Sequence, residues 1–181
     1  MLLHQQFVRI AKKNASKLAV IDKTTGKSVT YSRALIGALI LSSKFSKYDK
    51  GFIGIMIPTS AGAALATVGA LMSGRVPVMI NYSTGAEANV RYARKKCRFT
   101  TVITSRSLLE KINCPLVEGM VMIEDLMDSV TTGEKLKAAL MTKLPLAGEE
   151  ALKSFPFLPE LKKSHAKIKA DLDYLLSHHE E

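Results

Sequence analysis

The chain has 181 residues, enough for one sizeable core and a small appendage, and 47% of them are apolar against 23% charged, a balance that excludes wholesale disorder. A formal charge of +10, from 26 Lys and Arg against 16 Asp and Glu, favours encounters with nucleic acid, anionic lipid, phosphorylated metabolites or acidic proteins without choosing among them. Two cysteines, Cys97 and Cys114, make no disulfide framework and have no zinc-site companions, so both are expected to be reduced in a cytoplasmic setting.

In chain order, residues 2–14 place Leu3, Phe7, Ile10 and Ala11 at helical spacing and leave Arg9, Lys12 and Lys13 to face water, predicting a short amphipathic helix packed on a larger body. The start "MLLHQQFVRIAKK" has no basic, apolar and small-residue sequence of a secretory signal. "KLAVIDKTTGKSVTY" then supplies two strand-like runs around a polar turn at Thr24 to Lys27, which reads as a hairpin. Thr30 is placed to cap a helix that buries Leu35, Leu39 and Ile40.

From Gly51 through Gly74 no residue is charged, a length that matches a membrane span by count alone. Pro58, Thr59 and Ser60 interrupt it, so the expected elements are a strand at Phe52 to Ile57, a turn, and a helix capped by Thr59 or Ser60. Gly62, Ala63, Ala66, Gly69 and Ala70 keep that helix narrow enough for close approach to its neighbours. Gly74 is suited to stop the helix, "VPVMI" to return as a strand, and Asn81 to turn the chain. Pro77 fits best near a strand start or at a sheet edge.

The alternation continues. Ala86 to Lys96 predicts a basic amphipathic helix, "FTTVIT" a strand, "SRSLLEKI" a helix, and "GMVMIEDL" a strand followed by a turn. The fold class is therefore α/β, a mostly parallel sheet flanked by helices, with a core from Leu18 to Asp128. Residues 129–181 read as a helical and proline-containing extension, an insertion or linker. "GEKLKAALMTKLPLAG" is helical up to Pro145, "SFPFLPE" is a connector, and Leu161, Ile168, Leu172 and Leu175 return to helical spacing.

Local motifs yield no catalytic, cofactor or metal site. GxxxxGK[ST], HExxH and GxSxG are absent, and the glycines of "GALMSG" lie within and after a helix, where a dinucleotide turn would precede one. His4 lacks a paired nucleophile, and His165, His178 and His179 read as surface or tail residues. "RYARKKCR" is the sharpest charge feature, with Arg91, Arg94, Lys95 and Arg98 forming a basic stripe. A solvated face, contact with an acidic protein or anionic lipid, and nucleic-acid contact are all open, the last disfavoured by the lone aromatic Tyr92. Cys97 within the stripe reads as a small buried residue or as an assisted thiolate.

Two stretches carry a resemblance. "LHQQFVRIAKKNASKLAVIDKTTGKSVTYSRAL" and "IGIMIPTSAGAALATVGALMSGRVPVMINYSTGAEAN" resemble the start of the adenylate-forming acid ligases, the acyl-CoA synthetase family, over Leu2 to Asp128. Pro58, Gly74, Pro77 and Asn81 occupy the characteristic places of the family motif. "GRVPVMINYSTGAEAN" and "TVITSRSLLEKI" are most similar to the synthetase part of the bacterial 2-acylglycerophosphoethanolamine acyltransferase/acyl-acyl-carrier-protein synthetase group. The resemblance implies activation of a fatty acid with ATP and Mg as an acyl-adenylate, transfer to a carrier-protein or CoA thiol, and lysophospholipid reacylation at the inner membrane periphery. It also implies a Ser/Thr/Gly-rich phosphate-binding segment and a lid domain, neither of which occurs in residues 129–181. The chain is thus expected to be an N-terminal ligase fragment, catalytically incomplete, with no cofactor of its own and with the missing catalytic portion as a partner. The competing expectation is a non-enzymatic module that recruits an acidic carrier protein or anionic lipid through its basic helix.

Overall fold

Strand and helix alternate along the chain because apolar runs of strand length are separated by capped helices. The computed structural model describes residues 2–23 and 26–143, together with Lys167, Lys169, Ala170, Asp173, Tyr174 and Ser177. The elements are α1 (Leu3–Lys13), β1 (Leu18–Asp22), β2 (Lys27–Thr30), α2 (Tyr31–Phe45), β3 (Gly51–Met56), α3 (Ala61–Met72), β4 (Arg75–Met79), α4 (Ala86–Cys97), β5 (Val102–Thr104), α5 (Arg106–Lys111), β6 (Met120–Met122), α6 (Ile123–Asp128) and α7 (Thr132–Lys143). The connector at "SFPFLPE", the helical positions Leu161, Ile168, Leu172 and Leu175, and His165, His178 and His179 lie outside the described residues.

β3 to β6 form a four-stranded parallel sheet in the order β4-β3-β5-β6, and β1 and β2 form a separate antiparallel hairpin. All six residues of β3 are buried, as its unbroken apolar sequence requires of a central strand covered on both faces. Its side chains alternate between two clusters. Phe52 and Met56 join Val90 of α4 and Leu108 and Leu109 of α5 on one face. Ile53 and Ile55 join Leu41 and Phe45 of α2 and Ala63, Ala66 and Ala70 of α3 on the other. A third cluster fixes α1 and α7 to the outside of α2 through Val8, Ala11, Leu39 and Ala138.

The uncharged run from Gly51 to Gly74 is β3, a turn and α3, and no described helix is long and apolar enough to cross a membrane. Ser60 caps α3, its Oγ accepting from the Ala63 N–H at 3.2 Å. Gly69 permits the close α2–α3 contact: a Cβ there would lie 2.9 Å from Leu41 Cβ and 3.3 Å from the Ala38 carbonyl. Gly74 follows the helix at φ 75°, a conformation that a side chain would strain. β4 is an edge strand, and the Ile80 N–H donates to the Ile55 carbonyl at 2.9 Å, so even-numbered residues of β4 direct their N–H toward β3. Pro77 is therefore out of phase with the ladder, and its missing N–H falls on the open side.

Three details depart from the sequence expectations. Leu3 is 69% exposed, and Val8 with Ala11 forms the buried stripe of α1, because α1 rests on α2 along one narrow line. The strand expected in "FTTVIT", over Thr100 to Ile103, covers Val102–Thr104, starting two residues later and ending one later, where Thr104 Oγ1 donates to the Met56 carbonyl at 2.9 Å. After β6 the chain forms the short helix α6 where a turn is expected.

Arg75 is the first charged residue after the apolar run, and it is 2% exposed. Its guanidinium donates to the carbonyls of Tyr48 at 2.7 Å, Ser46 at 3.1 Å and Asp49 at 3.3 Å, and to that of Ser73. Ser46 and Ser73 are the C-caps of α2 and α3, so one cation satisfies orphan carbonyls at the negative ends of two helices. Replacement by methionine keeps the bulk and strands those carbonyls. Arg75→Met is expected to lower the unfolding free energy by about 3 kcal/mol. Arg75→Lys should recover only part of the loss, since an ammonium has no planar fork. The urea midpoint checks both, and an unchanged midpoint for Arg75→Met would show that the carbonyls rehydrate.

A second buried cation holds α7. Lys44, 6% exposed, donates to the Ser129 carbonyl at 3.0 Å and pairs with Glu134 at 2.9 Å. The Thr131 N–H, at 2.8 Å, and then the Lys44 ammonium hold the Glu134 carboxyl down at about 2, below its ordinary 4.5. A depressed carboxylate stabilises the fold above its unfolded value and loses that contribution as pH falls through the folded one. The Ala138 methyl resonance, buried against α2, should therefore stay in its docked position at pH 5 and move toward a free-helix position as pH approaches about 2. Glu134→Gln should flatten that titration.

Candidate functional site

Open parallel sheets place ligands beyond the carboxyl ends of their strands, above all where the connections reverse direction. The order β4-β3-β5-β6 puts the reversal between β3 and β5, since β3 connects to β4 on one side and β5 to β6 on the other. α3, α4 and α5 all begin along this edge, and each brings first-turn N–H groups that need acceptors.

Two of these three starts are closed by carboxylates of the chain itself. Asp22, 6% exposed at the end of β1, accepts from the Ala61 N–H at 3.0 Å. Glu124, in the first turn of α6, accepts from the Arg106 N–H at 3.2 Å, while Ser105 accepts from the Leu108 N–H at 3.2 Å. The start of α4 differs: its N-cap is Gly85, and no side chain caps it. The loop leading there is set by asparagines. Asn81 Oδ1 accepts from the Ser83 N–H at 2.9 Å, and the Asn89 amide donates to the carbonyls of Asn81 at 3.0 Å and Thr84 at 2.7 Å.

A cleft of about 520 Å³ opens beside this loop, with Tyr82, Glu87 and Arg91 on one wall and Asn113, Cys114 and Pro115 on the other. Arg91 donates to Glu87 Oε1 from Nε at 3.0 Å and from Nη2 at 2.7 Å. Burial, and then the Glu87 charge, push the Cys114 thiol up, away from thiolate chemistry. No group of three or more His, Cys, Asp or Glu side chains among the described residues is arranged to hold a metal. Binding chemistry is what these walls supply.

The four cations singled out by sequence sit along α4 and have different surroundings. Arg91 is paired with Glu87, and Arg94 donates to the Glu118 carbonyl, tying α4 to the turn before β6. Arg98, the C-cap of α4, lies over the Tyr174 ring at 5.1 Å from its centroid. Lys95 is exposed. Cys97 is half-buried against the α4 face of the sheet, and neither cysteine is in a disulfide. His4, partly buried on α1, has its pKa lowered by that burial.

Of the motif positions, Pro58 follows β3, Gly74 ends α3, Pro77 sits on the open edge of β4, and Asn81 shapes the loop to the cleft. Arg75, Asp22 and Glu124 escaped sequence reading. Arg75 had one visible signal, a lone charge beside a helix-stopping glycine in an apolar run. Asp22 and Glu124 had none, because each caps a helix remote in sequence.

No protein-family model matches the sequence. Solved structures do match the fold. The N-terminal domain of FACL13 from Mycobacterium tuberculosis superposes with a TM-score of 0.58 at 17% identity, over 71% of this chain and 35% of that one. A benzoate CoA ligase from Burkholderia xenovorans gives 0.58 at 22% identity, over 72% of this chain and 29% of that one. The nonribosomal peptide synthetase FmoA3, bound to alpha-methyl-L-serine-AMP, gives 0.62 at 16% identity, over 72% of this chain and 15% of that one. The matched region thus spans about a third or less of these proteins, and at these identities the likeness establishes a shared α/β fold.

The cleft geometry yields a test at Cys114. Its raised thiol should be alkylated by iodoacetamide more slowly than a peptide thiol at pH 8, by a few-fold. Glu87→Gln should speed the reaction by removing the adjacent negative charge. A rate equal to that of the free peptide would contradict the burial of this wall.

Proposed function

We propose that the chain is the N-terminal subdomain of an AMP-forming acid–thiol ligase and that it does not adenylate an acid by itself. One observation carries the reading: about 72% of the chain shares its fold with the initial portion of such ligases, including a structure described as an N-terminal domain. The sequence order of strand, Pro58 turn, narrow helix, Gly74 and Pro77 return strand supports the same reading.

ATP with Mg, which that family requires, does not fit the residues described. Two of three helix starts on the ligand edge are occupied by Asp22 and Glu124, whose charge repels phosphate. The third is flanked by an arginine already committed to Glu87. No carboxylate cluster is arranged for a divalent ion among these residues. Uncapped N–H groups at the start of α4, with no metal-holding carboxylate group among the described residues, fall short of the donors and counter-charge that the reaction needs. In this reading the catalytic portion of the ligase is the partner, and ATP and Mg belong to the assembled enzyme.

The finer reading follows the resemblance of "GRVPVMINYSTGAEAN" and "TVITSRSLLEKI": a fatty acid as substrate, a carrier-protein or CoA thiol as acceptor, and an association with lysophospholipid reacylation at the inner membrane periphery. The second reading, a module that recruits an acidic carrier protein or anionic lipid, is favoured by the exposed Lys95 on a helix with five basic residues among Ala86 to Arg98.

Purified chain incubated with ATP, Mg and fatty acids of several lengths should give no acid-dependent pyrophosphate exchange above background. Reproducible exchange would overturn the assignment of catalysis to the assembled enzyme.

A further inference from the structure

α7 is docked on α2 by one narrow face. Ala138 is buried against α2, Met141 packs beside it, and Glu134 is turned to Lys44. On the opposite face Leu136 and Leu140, one turn apart, are 61% and 57% exposed. Around them Lys135, Lys137 and Lys143 are all exposed, and Glu134, already paired, is the only carboxylate of the helix. α1 lies alongside, where Lys12 Nζ donates to the Met141 carbonyl at 3.2 Å, and it adds Arg9, Lys12 and Lys13 without any carboxylate. Between α2 and α7 opens a slot of about 90 Å³ lined by Leu39, Ile40, Ala138 and Met141, with Lys137 also on its wall.

We propose that α7, with α1 beside it, is a docking face for an anionic lipid surface, on which the leucines enter the acyl boundary and the lysines meet phosphates. Charge complementarity sets the sign of the partner, since each helix brings three cations and the pair has one carboxylate, already committed. The size of the apolar part sets its kind. Two leucines and a small slot fall short of the roughly 1,000 Å² that a stable protein interface buries, whereas a helix lying in a headgroup layer needs only a shallow apolar stripe flanked by lysines. Lysine stems follow the leucines inward while their ammonium groups stay among the phosphates. Because Lys137 shares a wall with the slot, one lipid molecule meets a cation and an apolar recess together. The face is separate from α4 and independent of the ligase reading.

The chain has no tryptophan, so Leu140→Trp places a single reporter on this face. On vesicles of phosphatidylglycerol and phosphatidylcholine in equal amounts, at low salt, its emission should shift to the blue and be quenched when the acyl chains are brominated. Tyr92→Trp, the same probe on α4, should show neither effect. In co-sedimentation with the same vesicles, Lys135→Gln/Lys137→Gln and Leu136→Gln/Leu140→Gln should each weaken binding by about ten- to thirtyfold. Arg91→Gln/Lys95→Gln, the same change in charge on α4, should leave it within about threefold. Every substituted side chain is exposed, so none is expected to disturb folding. Equal losses from the two charge variants would reduce the effect to net charge and overturn the proposal. Binding that ignores Leu136→Gln/Leu140→Gln, or that a soluble hexaglutamate peptide matches, would assign the face to an acidic protein and overturn it too, as would no binding to the anionic vesicles or an unshifted Leu140→Trp emission.

Discussion

The buried guanidinium of Arg75 fixes the amino end of the sheet, and the rest of the architecture hangs from that point. Four carbonyls converge on it, from the end of α2, the loop into β3 and the end of α3. A charge removed from water costs several kcal/mol unless every donor is used, so the site tolerates little displacement of any carbonyl. Because β3 pairs with β4 from Gly51 and Arg75 onward, the guanidinium also sets the register of the first two strands of the sheet. Asp49, whose carbonyl is one of the four, accepts through its side chain from Thr100 Oγ1 at 2.7 Å and extends the tie to the approach to β5.

At the opposite end of the sheet the arrangement is looser and more open. The hairpin contributes Asp22 to the start of α3, and α6 contributes Glu124 to the start of α5, so each carboxylate stabilises its helix while removing that helix as a site for an external anion. Glu124 retains one buried oxygen with no hydrogen-bond partner among the described residues. Of α3, α4 and α5, it is α4 whose start has no side-chain cap, and it lies beside the cleft. Structural capping and ligand binding compete for the same groups, and in this unit capping has taken most of them.

The order of elements was legible because each rests on short-range chemistry: the Ser60 and Thr30 caps, the Gly74 stop, the unbroken apolar run of β3 and the Pro77 break on an edge. Strand pairing in the parallel sheet, in contrast, depends on contacts between segments remote in sequence, such as Gly54 with Val102 and Val102 with Met120, which periodicity does not encode. The candidate site was less legible for the same reason. A basic stripe is visible as a spacing, but whether its members face water depends on Glu87 one turn away, Glu118 in a remote turn, and Tyr174 far along the chain. The role of Arg75 was hidden because its partners are backbone carbonyls, which every residue carries alike.

These two ends of the sheet account for how the unit divides stability from chemistry. The deeply buried charges, Arg75, Lys44 and Asp22, are spent on carbonyls, on α7 and on the start of α3, where they hold helices in place. The exposed charges on α4 contribute little to stability, since solvent-exposed pairs such as Arg91 with Glu87 are worth about 0.5 kcal/mol. They can vary with small effect on the fold. A unit built this way supplies a rigid sheet and an adjustable surface.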